Sequence, residues 1–446
     1  LEKLAQETEK NHEDILEQAD ETDAVFGELY SWYLRNPEYR SRVQKLVQSA
    51  FAGKPEDIIS QSVAKALYGE VSPYSATRLE RFAACAFAHF LQYGMKLTER
   101  VEYEFKPMDM GNVMHEALES FAEEVRKRGM KWTELTEQER NEIADRCLDN
   151  IVADYGNTVL KSSARNEYMI ERTRRILRRT VWALQKQLEQ GEFQPEGFEV
   201  TFGGGRIDRV DIMEDQNKVY VKVIDYKTGN TSFDLVYLYH GLQLQLMIYL
   251  DGALRVEQKK YPDKEIIPAG VFYYNIKDPM IQEKIDADVE AVSAGLMKEL
   301  KMNGLAQADP ELVYRMDSSL GSIPVAFNKD GNFRKNSSVA DRKHFQMLGN
   351  YVKKKIHEIR TDILRGDAQF AVLGRYVRTK IEKIRSSILE GDAEVSPYEL
   401  GKKNACTYCP YMTVCGFDRR LSGYEFRRLK NFSDEELWKA FDREAE

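Results

Sequence analysis

A lysine and a carboxylate stand together on one predicted strand, within the segment from Gly205 to Gly229. Residues Val219 to Val223 alternate between valine and other side chains, and this period of two predicts a strand. Asp225 and Lys227 continue the valine-bearing face. Charged groups on an otherwise apolar face need a partner or a ligand. This part of the chain is therefore a candidate for chemistry.

A second carboxylate is brought to the same place if the segment folds as a β-hairpin. A polar turn centred near Gln216 places Asp208 almost level with Asp225. The same register puts Asp211 opposite Val221, about 13 Å from Asp225 at ~3.3 Å per residue. We therefore expect Asp208, and not Asp211, to share a site with Asp225.

Two carboxylates beside an ammonium group suggest a divalent-cation site. Like charges a few ångströms apart repel and raise each other's pKa, and a bound cation removes that cost. Oxygen ligands suit Mg2+ or Mn2+, and a nearby lysine can orient water or stabilise phosphate charge. The implied chemistry is phosphodiester hydrolysis. The alternative is an exposed hairpin with ordinary surface charges.

Three further parts of the chain can contribute to such a site. His115 lies near the apolar stripe of a predicted helix, where it is either a hydrogen-bonded core residue or a metal ligand. Glu199, in a preceding strand, can point toward the hairpin. Gln245 and Tyr249 lie one turn apart on an apolar helix predicted at Leu242–Leu250, and they could hold phosphate, base or the lysine. A core hydrogen bond is the alternative for that pair.

The cysteines form a second candidate site. Cys406, Cys409 and Cys415 give C-x2-C-x5-C in a loop, and a reduced compartment favours chelation over disulfides. A fourth ligand must lie upstream, and we choose Cys85, in an aromatic-rich segment predicted to be helical, over Cys147, which we interpret as core. Four thiolates suit zinc or a four-iron cluster, and the spacing leaves both open.

Composition sets the remaining limits. The 446 residues, of 51.7 kDa, allow two to three domains or one domain with large insertions. The formal charge of -8 does not by itself indicate a nucleic-acid binder. Residues 161–190 nevertheless hold 8 basic against 3 acidic residues. No apolar run is long enough to span a membrane and no signal-peptide pattern opens the chain, so we predict a cytoplasmic protein without a membrane partner.

An internal repeat occupies residues 345–394, where two similar segments follow each other at an offset of 25 residues. We expect each copy to form one basic amphipathic helix. We have no functional account of this duplication.

The motifs resemble those of a known family. GRID at 205–208, DYK at 225–227 and Q-x3-Y at 245–249 resemble the PD-(D/E)XK nucleases of the RecB family. One cysteine before this region and three after it resemble the B subunits of AddAB-type ATP-dependent helicase/deoxyribonucleases. The resemblance covers about residues 72–418. It implies an α/β fold with a restriction-endonuclease-like mixed sheet flanked by helices, additional helical regions and a C-terminal iron–sulfur loop.

The resemblance also implies roles. Asp208 and Asp225 would bind the metal together with His115, Lys227 would be catalytic, and Gln245 and Tyr249 would shape the site. The four cysteines would hold a 4Fe-4S cluster, with zinc as the alternative.

The expected function is a Mg2+-dependent deoxyribonuclease, an exonuclease that hydrolyses phosphodiester bonds of single-stranded DNA during double-strand-break end processing. We expect it to act within a helicase–nuclease complex, with single-stranded DNA or duplex ends and a heterodimeric A subunit as its partners. The alternatives are a non-catalytic DNA-binding scaffold with a zinc site, and a stand-alone RecB-like exonuclease of the CRISPR-associated kind. We divide the chain into a helical accessory region (1–71), a nuclease core (72–300), a helical extension (301–400) and a cysteine cluster with a C-terminal helix (401–446).

Overall fold

The structure is a computed structural model. It describes residues 21–50, 58–69, 75–98, 107–154, 163–203, 205–281, 288–307, 309, 312, 315–318, 345–348, 366–421 and 423–445. The helices are α1 Glu21–Arg35, α2 Pro37–Ala50, α3 Gln61–Tyr68, α4 Ala76–Ala84, α5 Ala86–His89, α6 Pro107–Lys127, α7 Glu137–Asp154, α8 Ala164–Glu189, α9 Leu235–Tyr239, α10 Gln245–Lys260, α11 Val289–Glu299, α12 Gly366–Glu390, α13 Met412–Cys415 and α14 Asp434–Ala445. The strands are β1 Gln194–Phe202, β2 Gly205–Asp215, β3 Lys218–Lys227, β4 Glu265–Asn275, β5 Asn303–Gln307, β6 Phe345–Leu348, β7 Tyr398–Leu400, β8 Lys403–Asn404 and β9 Arg427–Arg428.

A mixed sheet of strands β1 to β6, in that order, forms the centre of the fold. Strands β1, β2 and β3 form an antiparallel meander, whereas β3 and β4 are parallel. A parallel pair needs a crossover connection, and α9 and α10 supply it. A smaller sheet of order β8-β7-β9 lies in the cysteine-bearing C-terminal segment.

Helices cover both faces of the large sheet, because its strands present apolar side chains to each side. Ile224 and Tyr226 of β3 join a core with α6, α7 and α8. The alternating residues Val219, Val221 and Val223 join a second core with α4, α10, α12 and α14. This arrangement is the restriction-endonuclease-like mixed α/β architecture that the sequence predicts.

Three local predictions are corrected. The predicted helix around Cys85 is interrupted at that residue, which is extended (φ -166°, ψ 119°) between α4 and α5. The backbone N–H of Phe87 donates to Glu394 O instead of continuing the first helix. The helix predicted from Leu242 begins only at Gln245, after a turn.

The repeat is the third correction. Its second copy lies in α12 as a helix, but the first four residues of the first copy form β6, because they pair with β5. Residues 349–365 of the first copy lie outside the described residues. Strand β5 lies just past residue 300 and extends the large sheet, and the division into four regions stays a prediction. Among the described residues, no helix is long and apolar enough to cross a membrane.

Candidate active site

Three consecutive strands deliver one carboxylate each to the same level of the sheet. Glu199 lies between the paired positions Phe198↔Arg209 and Val200↔Ile207, so it stands level with Asp208. The hairpin pair Arg209↔Ile224 places Asp208 in turn beside Asp225. Neighbouring strands are about 4.8 Å apart, so the three acids form one row across β1, β2 and β3.

The hairpin register differs by one residue from the predicted one. The turn is a two-residue turn at Gln216 and Asn217, so Asp211 pairs with Lys222 and not with Val221. A slip of one residue moves a side chain to the other face of a sheet. Asp211 therefore lies on the face of Lys222, opposite to that of Asp225, a stronger reason for its exclusion from the site than distance along the strand.

His115, on α6, lies over this row of acids. Its Nδ1 is 3.3 Å from Asp208 Oδ2 and 3.8 Å from Glu199 Oε1. One ligand atom from each of these three residues lies within 4.8 Å of the other two, a spacing that suits a shared metal ion. Asp208 Oδ2 also accepts a hydrogen bond from the backbone N–H of Tyr226 at 2.7 Å, which fixes the carboxylate.

Asp225 begins a second set of contacts next to the first. Lys227 Nζ lies 2.6 Å from Asp225 Oδ2 and donates to Gln245 Oε1 at 2.8 Å. Gln245 Nε2 donates to the hydroxyl of Tyr249 at 2.9 Å, so the helical pair predicted from the sequence does hold the lysine. The structure thus brings together all six residues predicted for this site, in one cleft between α6, the sheet and α10.

The pKa values of two groups in the cleft, Asp225 and His115, are raised. Burial, and then the charge of Asp208, raise the pKa of Asp225 to about 7 against the opposing effect of Lys227. Burial alone would lower the pKa of His115, but hydrogen bonds to Asp208 and Glu199 outweigh it and raise that pKa to about 10. In the absence of another cation, the imidazolium is therefore a counter-charge for the acids.

Glu80 is a residue that sequence reasoning missed. Its Oε1 accepts the backbone N–H groups of Leu244 (2.7 Å) and Gln245 (2.9 Å), and it thereby caps the start of α10. Burial raises the pKa of Glu80 to about 7, although those hydrogen bonds and Lys227 act against it. The only sequence signal is a carboxylate beside the apolar residue Leu79 on α4. Its partners lie 164 and 165 residues away.

Arg206 was also missed. Its Nε contacts Glu199 Oε2, and its side chain is 63% exposed at the mouth of the cleft. Its position in the GRID motif, two residues before Asp208, was the available signal. The other lining residues are Gly111, Asn112, Glu116, Glu119, Tyr226 and Thr228.

The four cysteines chosen from the sequence meet at a second place. Cys85, Cys406, Cys409 and Cys415 line one small cavity with apolar neighbours, while Cys147 is buried in the core beside α6 and α8. Burial, and then the neighbouring thiols, raise the pKa of Cys406 to about 12. In the described part of the chain, His115, Glu199 and Asp208 are the only group of three or more such ligand atoms within 4.8 Å of one another. No three of the four sulfur atoms therefore come that close.

Comparison with known proteins agrees with this geometry. The model of the PD-(D/E)XK nuclease superfamily matches residues 73–416, which include both sites. The chain belongs to the PD-(D/E)XK nuclease superfamily. This membership confirms the fold predicted from the GRID, DYK and Q-x3-Y motifs.

Individual relatives within the superfamily carry one name. The chain is 39% identical over 450 residues to the B subunit of the ATP-dependent helicase/deoxyribonuclease from Lachnoclostridium phytofermentans, covering 96% of this chain and 36% of the relative. The proteins of that name from Alkaliphilus metalliredigens and Thermoanaerobacter sp. (strain X514) are 32% and 31% identical, over 95% and 96% of this chain and 37% of each relative. The chain thus spans little more than a third of the length of these relatives.

Proposed function

We propose that this chain is a Mg2+- or Mn2+-dependent deoxyribonuclease domain that hydrolyses phosphodiester bonds of single-stranded DNA, as an exonuclease, during the processing of double-strand-break ends. The observation that carries the proposal is the row of Glu199, Asp208 and Asp225 beneath His115, with Lys227 held at its end. Superfamily membership supports the same chemistry.

The donor set fits a hard divalent cation. His115, Asp208 and Asp225 would hold it, and Glu199 lies within reach of the same position. The raised pKa of Asp225 supports this fit, because a bound cation relieves the repulsion that now comes from Asp208. When bound, such an ion polarises a phosphate oxygen and lowers the pKa of water.

The protein's own groups then orient the reaction. Gln245 and Asp225 fix the Lys227 ammonium from two sides, so its remaining N–H can point into the cleft toward an attacking water or a phosphate oxygen. Charge placed in advance where negative charge develops is a large contribution to catalysis. Tyr249 acts indirectly by fixing the amide of Gln245, because its hydroxyl accepts the amide N–H.

The test is cleavage of labelled single-stranded DNA by the purified chain with and without Mg2+. Lys227→Ala should lower the rate by a factor on the order of 10³, the loss typical of a removed electrostatic stabiliser. Lys264→Ala is the matched control, because that lysine pairs with Glu214 at the far end of the hairpin. Unchanged cleavage by Lys227→Ala, with an unchanged melting temperature, would refute the assignment.

The cysteine cavity carries the second part of the proposal. Cys85 follows α4, whereas the other three cysteines lie in the C-terminal segment, so a shared group would cross-link regions more than 300 residues apart. The sulfur spacing favours a 4Fe-4S cluster over zinc. A Zn–S distance of ~2.3 Å requires tetrahedral sulfur separations of about 3.8 Å, whereas no three of these four sulfur atoms lie within 4.8 Å of one another.

Absorbance and metal analysis test the cofactor. We expect iron and visible absorbance in the purified protein, and Cys409→Ser should remove the absorbance and lower the melting temperature. Cys147→Ser is the control, because that cysteine lies outside the cavity. A colourless wild-type protein that contains zinc would contradict the iron assignment.

The proposed partners follow from the relatives. Their name denotes the B subunit of an ATP-dependent helicase/deoxyribonuclease, so we propose DNA and an A subunit as partners, and the cytoplasm as the compartment. Co-purification of the chain with a candidate A subunit tests the partner directly.

A further inference from the structure

One face of α8 carries a stripe of arginines between two aromatic residues. Tyr168, Arg172, Arg175, Arg179 and Trp182 follow each other at spacings of four, three, four and three residues, which places them on one side of the helix. At 1.5 Å per residue the stripe is about 21 Å long. Tyr168 is 65% exposed at one end.

The stripe forms one wall of an open groove. The opposite wall is α11, which presents Val289, Val292, Ser293 and Leu296 at helical spacing. The groove encloses about 760 Å³, comparable with about 690 Å³ for the active-site cleft. It is therefore large enough for a polymeric ligand.

The arginines of α8 fall into two groups. Arg174 and Arg178 face α7, where Asp149 and Asp145 neutralise them, and they stabilise helix packing. Arg172, on the stripe, has no ion-pair partner among the described residues.

Two more arginines of the stripe have N–H groups left to donate to a ligand. Arg179 stacks on Trp182 at 5.4 Å, and its buried Nε has no hydrogen-bond partner in the part of the chain that the structure describes. Arg175 is 64% exposed and engages Asp278 through Nε alone. Glu137 and Glu171 are the acids that line the groove, so the lining carries more positive than negative charge, in a chain of net charge -8.

The groove lies close to the C-terminal ends of β3 and β4, where Lys227 stands. Asn275, the last residue of β4, pairs with Lys227, and Ile276 N donates to Lys227 O at 2.7 Å. Asp278, three residues after Asn275, contacts Arg175 at 2.6 Å. At ~3.3 Å per residue, the three residues from Asn275, beside Lys227, to Asp278, which contacts Arg175, span at most about 10 Å.

We infer that the stripe on α8 binds the backbone and bases of single-stranded DNA whose end lies in the active-site cleft. Unsequestered arginines attract phosphates, and an exposed tyrosine gives a base a stacking surface, a combination typical of single-strand binding without sequence preference. The inference rests on the proposed function, because it supplies the path of that enzyme's substrate.

Binding can be separated from cleavage by working in EDTA. Fluorescence anisotropy of a labelled 20-nucleotide oligo(dT) measures the affinity of the purified chain. Arg172→Glu/Arg179→Glu should weaken binding at least tenfold and reduce the salt slope by roughly 1.4, at ~0.7 per lost phosphate contact. The control is Lys259→Glu/Lys402→Glu, the same charge change at exposed sites outside both grooves.

Tyr168→Ala is a second variant that leaves all charges in place. It should weaken binding several-fold with an unchanged salt slope, because it removes a base-stacking surface and no charge. Binding by both groove variants equal to that of the control would overturn the inference, even if the wild type cleaves DNA. A wild type that binds through the stripe but never cleaves with Mg2+ would refute the nuclease proposal and leave the binding groove standing.

Discussion

The β2–β3 hairpin carries two clusters of charged groups, one in which the charges balance and one in which they repel. On the α8 side, Asp211 lies 2.5 Å from Arg209 Nε and 2.9 Å from Lys222 Nζ, and all three side chains are buried. In the cleft between α6 and α10, Asp208 and Asp225 stand side by side. Asp208 and Asp211 are only three residues apart on β2.

The difference shows in the direction of the pKa shifts. Burial would raise the pKa of Asp211, but Arg209 and Lys222 outweigh burial and lower it. The pKa of Asp225 rises to about 7, because burial and Asp208 prevail over Lys227. Burial alone therefore does not distinguish the two acids. The acid of the candidate site is the one whose repulsion the protein leaves unbalanced, beside open space.

The sharpest test of this contrast is a pair of stability measurements. Asp211→Asn leaves two buried cations without their anion and should cost about 3–5 kcal/mol of unfolding free energy. Asp208→Asn should cost less, because the loss of its ion pair with His115 is offset by relief of the repulsion with Asp225. Urea unfolding in EDTA measures both variants. Equal destabilisation by the two substitutions would remove the distinction between the two charged clusters.

A smaller effect is expected at Glu80, which lies outside the hairpin. It acts only on the cleft, because it holds the start of α10, which in turn holds Lys227. Glu80→Ala leaves the backbone N–H groups of Leu244 and Gln245 without their acceptor, so the start of α10 should loosen its hold on Lys227. We expect about 1 kcal/mol lower stability, typical of a lost N-cap, and cleavage slowed roughly tenfold.

Rescue distinguishes positioning from simple packing. Glu80→Gln keeps an acceptor oxygen at the same place and should restore most of the cleavage rate. If the alanine variant cleaves at the wild-type rate, Glu80 does not position the lysine. A glutamine variant as slow as the alanine variant would show that the charge, and not the acceptor, matters.

The sequence predicted the hairpin and its cleft-facing residues because both depend on local patterns. Alternation predicted β3, and a turn near Gln216 brought Asp208 to Asp225. The error of one residue in the turn did not affect this prediction, because it required the two acids only to be close along the strands. The same error reversed the face of Asp211, because side-chain direction depends on the parity of the register.

The rest depends on contacts between distant parts of the chain. Glu80 caps a helix 164 residues away, and the helix break at Cys85 accompanies a backbone hydrogen bond from Phe87 to Glu394. Local propensity favours a continuous helix there, and tertiary pairing overrides it. Likewise, β6 is a strand because β5 offers it an unpaired edge, whatever its resemblance to the helical second copy of the repeat.

Two histidines show the same contrast, because their pKa values shift in opposite directions. His115 lies between acids, whereas His89, on α5, is fully buried and accepts a hydrogen bond from Arg78 Nε at 3.1 Å. Burial, and then the charge of Arg78, lower the pKa of His89 to about 3. The folded state therefore keeps His89 neutral, while the unfolded chain binds a proton below a pKa of about 6.5.

Acidification should destabilise the protein through His89. Its contribution is complete above pH 6.5 and is lost progressively as the pH falls toward 3, because protons then favour the unfolded chain. Between pH 6.5 and pH 5 the loss should be on the order of 1 kcal/mol. His89→Gln retains an acceptor for Arg78 but cannot titrate, so urea unfolding at the two pH values should show a smaller loss for this variant. An identical loss in wild type and variant would place the acid sensitivity elsewhere in the molecule.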